Sequence, residues 1–491
     1  MTRPIVRLFA LFTIMFAVLV GFTAKWSVFE AKSLRDNPLN KRVLLEELEI
    51  DRGTILANNG EVLAKSVKGK GKTWKRDYPQ GDLFAQTVGW SYPARGIPDT
   101  GTELYRRDAL LGKSDALSTA FGQINGHEKV GNDLKTWLDP EAQRVAMRDL
   151  QQAAAQDGTG HGGAVVAMDP RTGAVKVMAS IPSFAPVNLK TARTAAGSPL
   201  LNRVTQGQYP PGSTFKVVTA VAAIDSGKYT PDSVVDGSNG QPFSGVPLNN
   251  DDKGDYPNVN LTDALTFSVN TAWANVATSL GRDTMTTYMR RFGFDRKPEL
   301  DYPADQMVAS GAKVDGSIVP PTDSNVDLGR LGIGQDKLSV TPIQMMEVAA
   351  AVANKGILMQ PRIGDKIIDP DGRTVRRITA EQQSRVMKPS TAAAINQMMQ
   401  QVVNEGTGTA ASLDGIEVAG KTGTAQIDPT RNITQPWFIA FAPANNPTIA
   451  IAVTVERSQG GFGGTVAAPI ARDVLEVLLR QAGSAPQSVN Q

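Results

Sequence analysis

One pair of residues has the types and the spacing needed for nucleophilic catalysis. Ser213 and Lys216 lie three positions apart, after the Pro-Pro-Gly of residues 210–212 and before the apolar run of residues 217–224. The prolines and the glycine predict a turn, and the apolar run predicts a helix buried on all sides, with Gly227 as a C-cap of positive φ. Side chains three positions apart lie on one helix face, so the hydroxyl and the amine would face the same cavity.

This pair suits a serine nucleophile activated by a lysine base. A serine hydroxyl is a weak nucleophile unless a neighbouring base removes its proton. A buried lysine loses the water that stabilises its charge, so the pKa of Lys216 would fall and its neutral form could deprotonate Ser213. The alternative is that Ser213 caps the helix while Lys216 extends to solvent. Because short motifs recur by chance, the motif alone favours this second interpretation.

A second segment combines a hydroxyl with an amide. Ser268 and Asn270 follow a helical pattern at residues 261–265, and in a tight turn both side chains would face one cavity. The chain also contains decoys of both motifs. Another Ser-x-x-Lys, at residues 310–313, lies among glycine, proline and aspartate with no helix to hold it, and another Ser-x-Asn, at residues 488–490, lies near the end of the chain.

A third segment is a predicted strand that carries a lysine, two hydroxyls and a glycine. In a strand, Lys421 and Gly423 would share one face while Thr422 and Thr424 share the other. We expect Gly423 to leave room for a substrate backbone to approach. The N–H groups of the strand could then bind that backbone by strand addition.

The composition limits which other chemistries the chain can perform. The 491 residues include no cysteine, which excludes thiol catalysis, thiolate metal sites and disulfide bonds. The only two histidines, His127 and His161, lie in glycine-flanked polar stretches that predict loops, which disfavours a Ser-His-Asp hydrolase and a histidine zinc site. A formal net charge of +3 is too small to indicate a nucleic-acid surface. We therefore expect no metal, no cofactor and no nucleic-acid partner.

The three segments come in the order of the Ser-x-x-Lys, Ser-x-Asn and Lys-Thr-Gly motifs of penicillin-binding proteins and serine β-lactamases. With the segments listed next, the chain resembles the class B penicillin-binding proteins, which are membrane-anchored D,D-transpeptidases of peptidoglycan synthesis. These are residues 52–55 with 59–60 and 63–64, 101–104, 202–203, 332–335 with 341–344, and 437–441. Ala57 and Asn58 depart from the Asp-Arg usual in the first motif. The resemblance covers most of the chain, and the short N-terminal part is similar to that of the smaller members of the family.

The resemblance implies roles for the first two segments. Ser213 would attack the carbonyl of a D-alanyl-D-alanine stem peptide with Lys216 as general base, and D-alanine would leave an acyl-enzyme. An amine of a neighbouring stem peptide would then take the acyl group and form the cross-link. Ser268 would pass a proton to the leaving nitrogen, and Asn270 would hold the substrate amide and Lys216. β-Lactams, which mimic the substrate amide, would acylate and inhibit Ser213.

The third segment would bind the substrate's terminal carboxylate, according to the same resemblance. Lys421, Thr422 and Thr424 would hold it, with Gly423 between them. The backbone N–H groups of Ser213 and Thr424 would form the oxyanion hole, in which each donor contributes on the order of 10²–10³ in rate.

Helices between two groups of strands predict an α+β domain whose two ends meet in one antiparallel sheet. The patterns are a helix at 138–156, strands at 163–168 and 174–179, helices at 213–280, 341–354 and 389–403, strands at 416–426, 437–441 and 448–456, and a final helix at 467–481. The resemblance implies that residues 134–483 form a penicillin-binding/serine β-lactamase-like transpeptidase domain. Such a domain has an antiparallel sheet with helices on both sides and an all-helical lobe. Residues 484–491 would be a tail.

Residues 1–24 predict a cytoplasmic stub and a transmembrane anchor. No charge interrupts residues 8–24, which is close to the minimum length for a membrane span, and the arginines before it favour a cytoplasmic N-terminus with the rest of the chain outside. A cleaved signal peptide is the alternative, but no clean cleavage site is present. We therefore expect a single-pass protein of the cell membrane.

Residues 25–133 predict a smaller N-terminal α+β domain without catalytic residues. Residues 51–64 predict a hairpin around an Asn-Gly turn. The basic residues between 65 and 76 predict a solvated loop rather than a binding patch. The resemblance implies that this domain is a pedestal and that a membrane glycosyltransferase is the partner.

Three other functions share the same motifs. A D,D-carboxypeptidase would use water as the acceptor, and the sequence does not separate this function from cross-linking. A β-lactamase-like hydrolase is disfavoured by the anchor, the extra domain and Val269, where class A lactamases carry aspartate. A non-catalytic β-lactam sensor is disfavoured because residues 1–7, before the anchor, are too few to fold into an effector domain.

Overall fold

A computed structural model gives the fold, and it describes residues 2–30, 41–113, 130–156, 162–481 and 483. Both histidines and the predicted tail lie outside the described residues. The α-helices are α1 (Thr2–Ala24), α2 (Lys41–Leu48), α3 (Ala85–Val88), α4 (Gly101–Tyr105), α5 (Arg107–Leu110), α6 (Pro140–Gln156), α7 (Leu189–Thr194), α8 (Arg203–Gln206), α9 (Lys216–Asp225), α10 (Leu261–Thr266), α11 (Asn270–Leu280), α12 (Arg282–Arg291), α13 (Leu328–Gly332), α14 (Pro342–Ala353), α15 (Pro389–Asn404) and α16 (Ala468–Gln481).

The strands are short except around the large central sheet. They are β1 (Ile55–Leu56), β2 (Val62–Lys68), β3 (Trp74–Asp77), β4 (Asp133–Thr136), β5 (Gly163–Met168), β6 (Val175–Ile181), β7 (Val234–Gly237), β8 (Gln241–Phe243), β9 (Val246–Leu248), β10 (Tyr256–Asn260), β11 (Gly311–Val314), β12 (Ser317–Val319), β13 (Leu338–Ser339), β14 (Ile357–Met359), β15 (Gly364–Ile368), β16 (Thr374–Arg377), β17 (Gln382–Arg385), β18 (Ala419–Asp428), β19 (Ile433–Ala442), β20 (Ile449–Val455) and β21 (Ser458–Gln459).

The central sheet joins the two ends of the large domain, as predicted. Its strands lie in the order β18-β19-β20-β5-β6, and each neighbouring pair is antiparallel. Strands β5 and β6 come from the N-terminal end of the domain, whereas β18, β19 and β20 come from its C-terminal end. Strand β18 lies at one edge of this sheet, so its outer backbone groups face neighbouring elements instead of another strand.

Helices cover both faces of the central sheet, because successive side chains of a strand point to opposite faces. On one face, Val165 and Ala167 of β5 belong to the apolar core that contains α6 and α16. On the other face, Ala164 and Val166 belong to the core that contains α14. All four side chains are fully buried, and the burial of each large aliphatic side chain stabilises the fold by about 1.5–3 kcal/mol.

Helix α9 lies in a mainly helical lobe, packed against α11, α12 and α15. It is buried along nearly its whole length, as the apolar run of its sequence predicts. The chain leaves the helix at Gly227, which has a φ of +76°. At the same end, the Asp225 carboxylate accepts hydrogen bonds from Tyr288 Oη and Lys388 N, both at 2.8 Å. These bonds connect the C-terminus of α9 to two neighbouring segments of the lobe.

One prediction for this lobe is wrong, because residues 213–280 are not wholly helical. The strands β7 to β10 lie between α9 and α10 and form two small antiparallel pairs, β10 with β7 and β8 with β9. Most of their side chains are exposed or half-buried. Gly240 and Gly245 take φ values of +76° and +78° at the turns, a conformation that favours glycine and interrupts a helix.

The N-terminal domain has a six-stranded sheet in the order β16-β15-β4-β1-β2-β3. The hairpin predicted at residues 51–64 is present, with β1 and β2 antiparallel and Gly60 at a φ of +91°. The predicted loop at residues 65–76 is wrong, since most of these residues lie on the paired strands β2 and β3. The hairpin β15–β16 reaches this sheet from residues 364–377. The sheet therefore crosses the predicted boundary at residue 133.

Helix α1 has the length and composition expected of a membrane span. The apolar stretch covers Arg3–Ser27, 25 residues, and none of it is buried against the rest of the protein. A helix of this length rises about 37 Å, enough to cross the hydrocarbon core of a bilayer.

Candidate active site

The turn that carries the candidate nucleophile is held by hydrogen bonds from two other segments. This serine turn (Gly212–Phe215) is a single 3-10 turn, and α9 follows it directly. Gly212 has a φ of +54°, and its N–H donates to Gly334 O at 3.0 Å. From strand β19, Trp437 Nε1 donates to Pro210 O at 3.0 Å. The backbone that leads into the buried helix is therefore fixed before the first helical residue.

The interpretation of Ser213 as a helix cap and Lys216 as a solvated side chain is wrong. The N-cap position of α9 belongs to Phe215, and no side chain caps it. Lys216 is fully buried, and Ser213 is 7% exposed. An amine buried to this degree needs partners.

The partners of Lys216 come from the second predicted segment. Its Nζ donates to Asn270 Oδ1 at 2.6 Å, to the backbone oxygen of Ser268 at 2.7 Å and to Ser268 Oγ at 3.2 Å. Three acceptors match the three protons of an ammonium group. The predicted convergence of the serine–lysine pair with the hydroxyl–amide pair is therefore present in the structure.

The backbone at Ser268 explains how one turn presents both groups. Ser268 has a φ of +61°, a left-handed conformation that is uncommon outside glycine. It follows the end of α10, and Asn270 begins α11. Residues held in such conformations cluster at functional sites, and no local sequence signal predicted this one.

Strand β18 brings the third segment to the same hydroxyl. Lys421 is fully buried, and its Nζ donates to Ser268 Oγ and to Thr422 O, both at 3.1 Å. The amines of Lys216 and Lys421 therefore share Ser268 Oγ. The three distant segments form one hydrogen-bonded network.

Gly423 lies directly against the serine turn. A Cβ atom at this position would lie 2.7 Å from Pro211 O and 3.0 Å from Thr214 N. The serine turn therefore fills the space on the Cβ side of Gly423, and the approach of a substrate backbone to this strand stays a prediction. A glycine is needed here because the backbone of the strand and the backbone of the turn are in direct contact.

The hydroxyls of Thr422 and Thr424 face other neighbours. Thr422 Oγ1 and Thr407 Oγ1 lie 2.5 Å apart. Thr424 Oγ1 accepts a hydrogen bond of 3.1 Å from Gly463 N. Because this N–H occupies a lone pair of the Thr424 oxygen, the hydroxyl proton remains free for a different acceptor.

Burial of two lysines in one network changes how they hold protons. Burial lowers the pKa of Lys216 to about 7, against the attraction of the Asp251 carboxylate. The pKa of Lys421 lies well below its usual value, mainly because of burial and further because of the charge on Lys216, while Asp251 again opposes the change. Burial and the repulsion between the two amines therefore both oppose full protonation of the pair. An amine that is neutral near pH 7 can act as a general base.

The hydroxyl of Ser213 makes no hydrogen bond to any described residue. Ser213 lies three residues before Lys216, in the 3-10 turn that leads directly into α9. In proteins without bound substrate, catalytic hydrogen bonds are often not yet formed. In this structure the candidate base is held by its other partners and the candidate nucleophile is unengaged.

The decoy in the described region does not have the arrangement of this site. Ser310 leads into strand β11, as expected without a helix, and its Oγ lies 3.3 Å from Thr341 Oγ1. Lys313 Nζ donates to Gln208 Oε1. The described residues contain no group of three or more histidine, cysteine or acidic side chains that could hold a metal ion. The decoy at residues 488–490 lies outside them.

Several residues of the site were not found by sequence reasoning. Asn270 Nδ2 donates to Asn249 O and Asp251 Oδ1, and Gly463 donates to Thr424. Asn249 and Asp251 lie in an irregular segment, 21 and 19 residues before Asn270, and Gly463 begins a π-helical turn 39 residues after Thr424. Of the supporting segments, only residues 332–335 had been singled out in the sequence, as part of the resemblance to the family. Gly334 of this segment accepts the hydrogen bond from Gly212 N in the serine turn.

The geometry agrees with comparisons against known proteins. A model of the penicillin-binding protein transpeptidase domain matches residues 163–476, and a model of the penicillin-binding protein A dimerisation domain matches residues 52–134. The chain belongs to the class B penicillin-binding proteins. The predicted family is therefore confirmed.

Individual relatives of this penicillin-binding protein match along nearly its full length. Peptidoglycan D,D-transpeptidase PbpA of Mycolicibacterium smegmatis is 34% identical over 505 residues, covering 95% of this chain and 97% of the relative. The structure of penicillin-binding protein A from M. tuberculosis, as a ceftriaxone acyl-enzyme complex, has a TM-score of 0.79 at 31% identity. It covers 89% of this chain and 100% of that one. The D,D-transpeptidase domain of a peptidoglycan glycosyltransferase from Eggerthella lenta has a TM-score of 0.73 at 28% identity, covering 89% and 100%.

Proposed function

We propose that this chain is a peptidoglycan D,D-transpeptidase whose nucleophile is Ser213. The observation that carries the proposal is the shared hydroxyl. Ser268 Oγ accepts from Lys216 Nζ at 3.2 Å and from Lys421 Nζ at 3.1 Å. One network thus joins three groups: Lys216 as the base, Ser268 as the proton carrier and Lys421 as a second cation.

The acylation step uses the first two segments. Ser213 Oγ attacks the carbonyl carbon of the D-alanyl-D-alanine amide, and its proton passes to Lys216 Nζ. The developing oxyanion is stabilised by the N–H groups of Ser213 and Thr424. The new C–O bond forms and the C–N bond breaks. The proton reaches the leaving nitrogen through Ser268 Oγ, and D-alanine departs. Asn270 holds the substrate amide and the amine of Lys216.

The acyl group then passes to an amine of a neighbouring stem peptide. The amine forms a new C–N bond, the ester C–O bond breaks, and the proton lost by the amine returns to Ser213 Oγ through Lys216. Ser213 and Lys216 return to their starting states, so the site is ready for another cycle. A D,D-carboxypeptidase would differ only in using water at this step. The relatives named as transpeptidases favour the amine.

The terminal carboxylate of the stem peptide binds at Lys421, Thr422 and Thr424. The Thr424 hydroxyl, whose oxygen already accepts from Gly463 N, has its proton available for a carboxylate oxygen. A carboxylate beside Lys421 favours the charged form of that amine. Repulsion between the two amines then favours neutral Lys216. Substrate binding thereby prepares the base.

The protein is anchored in the cell membrane by α1, with the catalytic domain outside the cytoplasm. The support is the apolar helix of 25 residues and the arginines that precede it. A membrane glycosyltransferase, which supplies uncross-linked strands, is the proposed partner. The N-terminal domain, whose match is to a dimerisation domain, is the part proposed to contact it.

The test is covalent labelling of the detergent-solubilised full chain. A fluorescent penicillin should label the protein at a single site, and Ser213→Ala should abolish the label. The matched control is Ser310→Ala, which removes the serine of the decoy and should label normally. Label that survives Ser213→Ala, or that is lost in Ser310→Ala, contradicts the proposal.

The acceptor is tested on the same samples. A pentapeptide stem and an amine acceptor are incubated with the protein, and the products are measured by mass spectrometry. We expect the cross-linked product with D-alanine released in equal amount. Release of D-alanine without a cross-linked product would instead identify a carboxypeptidase.

A further inference from the structure

The amide of Asn270 is held from its far side by a short loop, residues 249–255, between β9 and β10. While Oδ1 accepts from Lys216 Nζ at 2.6 Å, Nδ2 donates to Asn249 O at 3.0 Å and to Asp251 Oδ1 at 2.9 Å. Both protons of the amide nitrogen are therefore used on the loop side. A flipped amide would place its nitrogen against the ammonium of Lys216 and its oxygen against two acceptors. The loop thus decides which end of Asn270 meets Lys216.

A buried asparagine fixes this loop to the rest of the site. Asn250 is 3% exposed, and its Nδ2 donates to Gly237 O and Gly254 O, both at 2.9 Å. Its Oδ1 accepts from Thr271 N and Thr271 Oγ1, both at 3.1 Å. Thr271 is the second residue of α11, directly after Asn270. The carboxylate of Asp251 therefore has a set position relative to the start of that helix.

The charges that face Lys216 are few in the described part of the chain. Lys421 faces it from strand β18, and Asp251 faces it from the loop. The turn of Ser268 and Asn270 contributes only neutral groups. Asp251 is exposed to solvent, while its Oδ1 accepts a hydrogen bond from Asn270 Nδ2.

We propose that Asp251 is a positioning residue, which orients Asn270 and, through it, the amine of Lys216. This inference rests on the proposed function, in which that amine serves Ser213. The carboxylate has two separable effects. Its oxygen orients the amide, which sets the position of the amine. Its charge favours the protonated form of both lysines, which sets the pH at which the base becomes neutral.

Two substitutions separate these effects, with acylation by a fluorescent penicillin measured in the full chain from pH 5 to pH 9. Asp251→Asn removes the charge and keeps an oxygen that can accept from Asn270. The acid limb of the rate profile should move to lower pH by about half a unit, since the carboxylate is exposed and screened, with the plateau within about twofold. Asp251→Ala removes both the charge and the accepting oxygen. Its acid limb should therefore move by the same amount as that of Asp251→Asn, and its plateau rate should fall about tenfold.

The matched control is Asp252→Asn, which removes the neighbouring charge of the same loop. Asp252 bonds to Gly254 N and Tyr256 Oη and does not touch Asn270, so its profile should match the unchanged protein. High salt should move the acid limb of the unchanged protein toward that of Asp251→Asn, because it screens the same charge.

Three outcomes would overturn the proposal. The acid limb of both Asp251 variants could coincide with that of the unchanged protein, Asp252→Asn could shift it equally, or Asp251→Asn could lose the plateau as fully as Asp251→Ala. Thermal unfolding of each variant distinguishes a misfolded protein, which loses label at every pH, from a shifted limb. Failure of the unchanged protein to label would count against the nucleophile itself, and not against Asp251.

Discussion

At the scale of residues, the site depends on an amine that is buried and still bonded on every proton. Lys216 is fully buried and donates to Ser268 and Asn270. Burial removes the solvation of the ammonium, and its pKa falls to about 7. A lysine in water would be protonated at neutral pH and could not accept the proton of a serine. By excluding water, the fold therefore suits Lys216 to the proposed role of general base.

The pH dependence of acylation should follow from this pKa. The base is active in its neutral form, so the acylation rate should fall about tenfold for each pH unit below 7 and level off above it. Lys216→Ala should reduce the plateau by about 10³ or more, because no other amine takes its place. Stopped-flow labelling with a fluorescent penicillin measures both effects.

The control for the amine is Lys190→Ala, which removes an exposed lysine and should leave the profile unchanged. A Lys216→Ala protein that acylates at a near-normal rate would show that the base is another group. A rate that rises as the pH falls would contradict the sign of the dependence.

At the scale of elements, three glycines allow the serine turn, strand β18 and the loop at Gly334 to touch through their backbones. They are Gly212, Gly334 and Gly423. A Cβ at Gly334 would lie 1.9 Å from Gly212 O, and one at Gly423 would lie 2.7 Å from Pro211 O. Backbone atoms cannot move aside as flexible side chains do. The relative position of Ser213 and strand β18 is therefore set by contacts that only glycine permits.

Gly423→Ala should separate the strand from the serine turn by a few tenths of an ångström. We expect acylation to fall by about 10–100-fold, since displacements of this order at reacting groups reduce rates strongly. The global fold should remain, because the rest of the strand still pairs with β19. Labelling rates and circular dichroism of the same sample measure the two effects.

Gly372→Ala provides the comparison for that change. Gly372 lies in the hairpin β15–β16 with a φ of +84° and open space around it, so alanine should destabilise the protein by roughly 1 kcal/mol through backbone strain. Its acylation rate should not change. Equal loss of acylation in both variants would mean that general stability, and not the contact at Gly423, is responsible.

At the scale of the whole molecule, the two domains are joined by more than a linker. The hairpin β15–β16 completes the sheet of the N-terminal domain. Beside it, Arg106 Nη2 of the N-terminal domain bonds to Asp301 Oδ2 of the large domain at 2.5 Å. Asp301 also accepts from Ile363 N and Gly364 N, at the start of the hairpin. Both side chains are largely buried, at 9% and 12% exposure.

Asp301→Ala should weaken the junction between the domains. Removal of one partner from a buried ion pair costs about 3 kcal/mol, because the remaining charge keeps no compensation. We expect the thermal unfolding midpoint to fall, with acylation of Ser213 at low temperature unchanged. Differential scanning calorimetry measures the midpoint and shows whether the domains unfold together.

Asp371→Ala is the matched control in the same hairpin. Asp371 pairs with Arg373, but both side chains are exposed, at 70% and 77%, and an exposed pair contributes little. A fall in midpoint as large in this variant as in Asp301→Ala would show that the junction does not depend on the buried pair.

Much of the architecture was predictable because local rules act on neighbouring residues. The apolar run after Lys216 predicted a buried helix, and Gly227 predicted its end. The Asn-Gly turn that contains Gly60 predicted the first hairpin, and two groups of strands separated by helices predicted the central sheet. The prediction of helix over residues 234–260 was wrong because the short strands found there have no apolar periodicity that would identify them.

The amino-acid sequence by itself determined the motifs, the family and the order of the main elements, because side-chain types and periodicity are local properties. Only the tertiary structure decided the partners of Lys216, the contact at Gly423 and the loop that holds Asn270. It also decided that residues 364–377 join the sheet of the N-terminal domain. These features join residues far apart in the chain, and their geometry depends on how the two apolar cores pack around the central sheet.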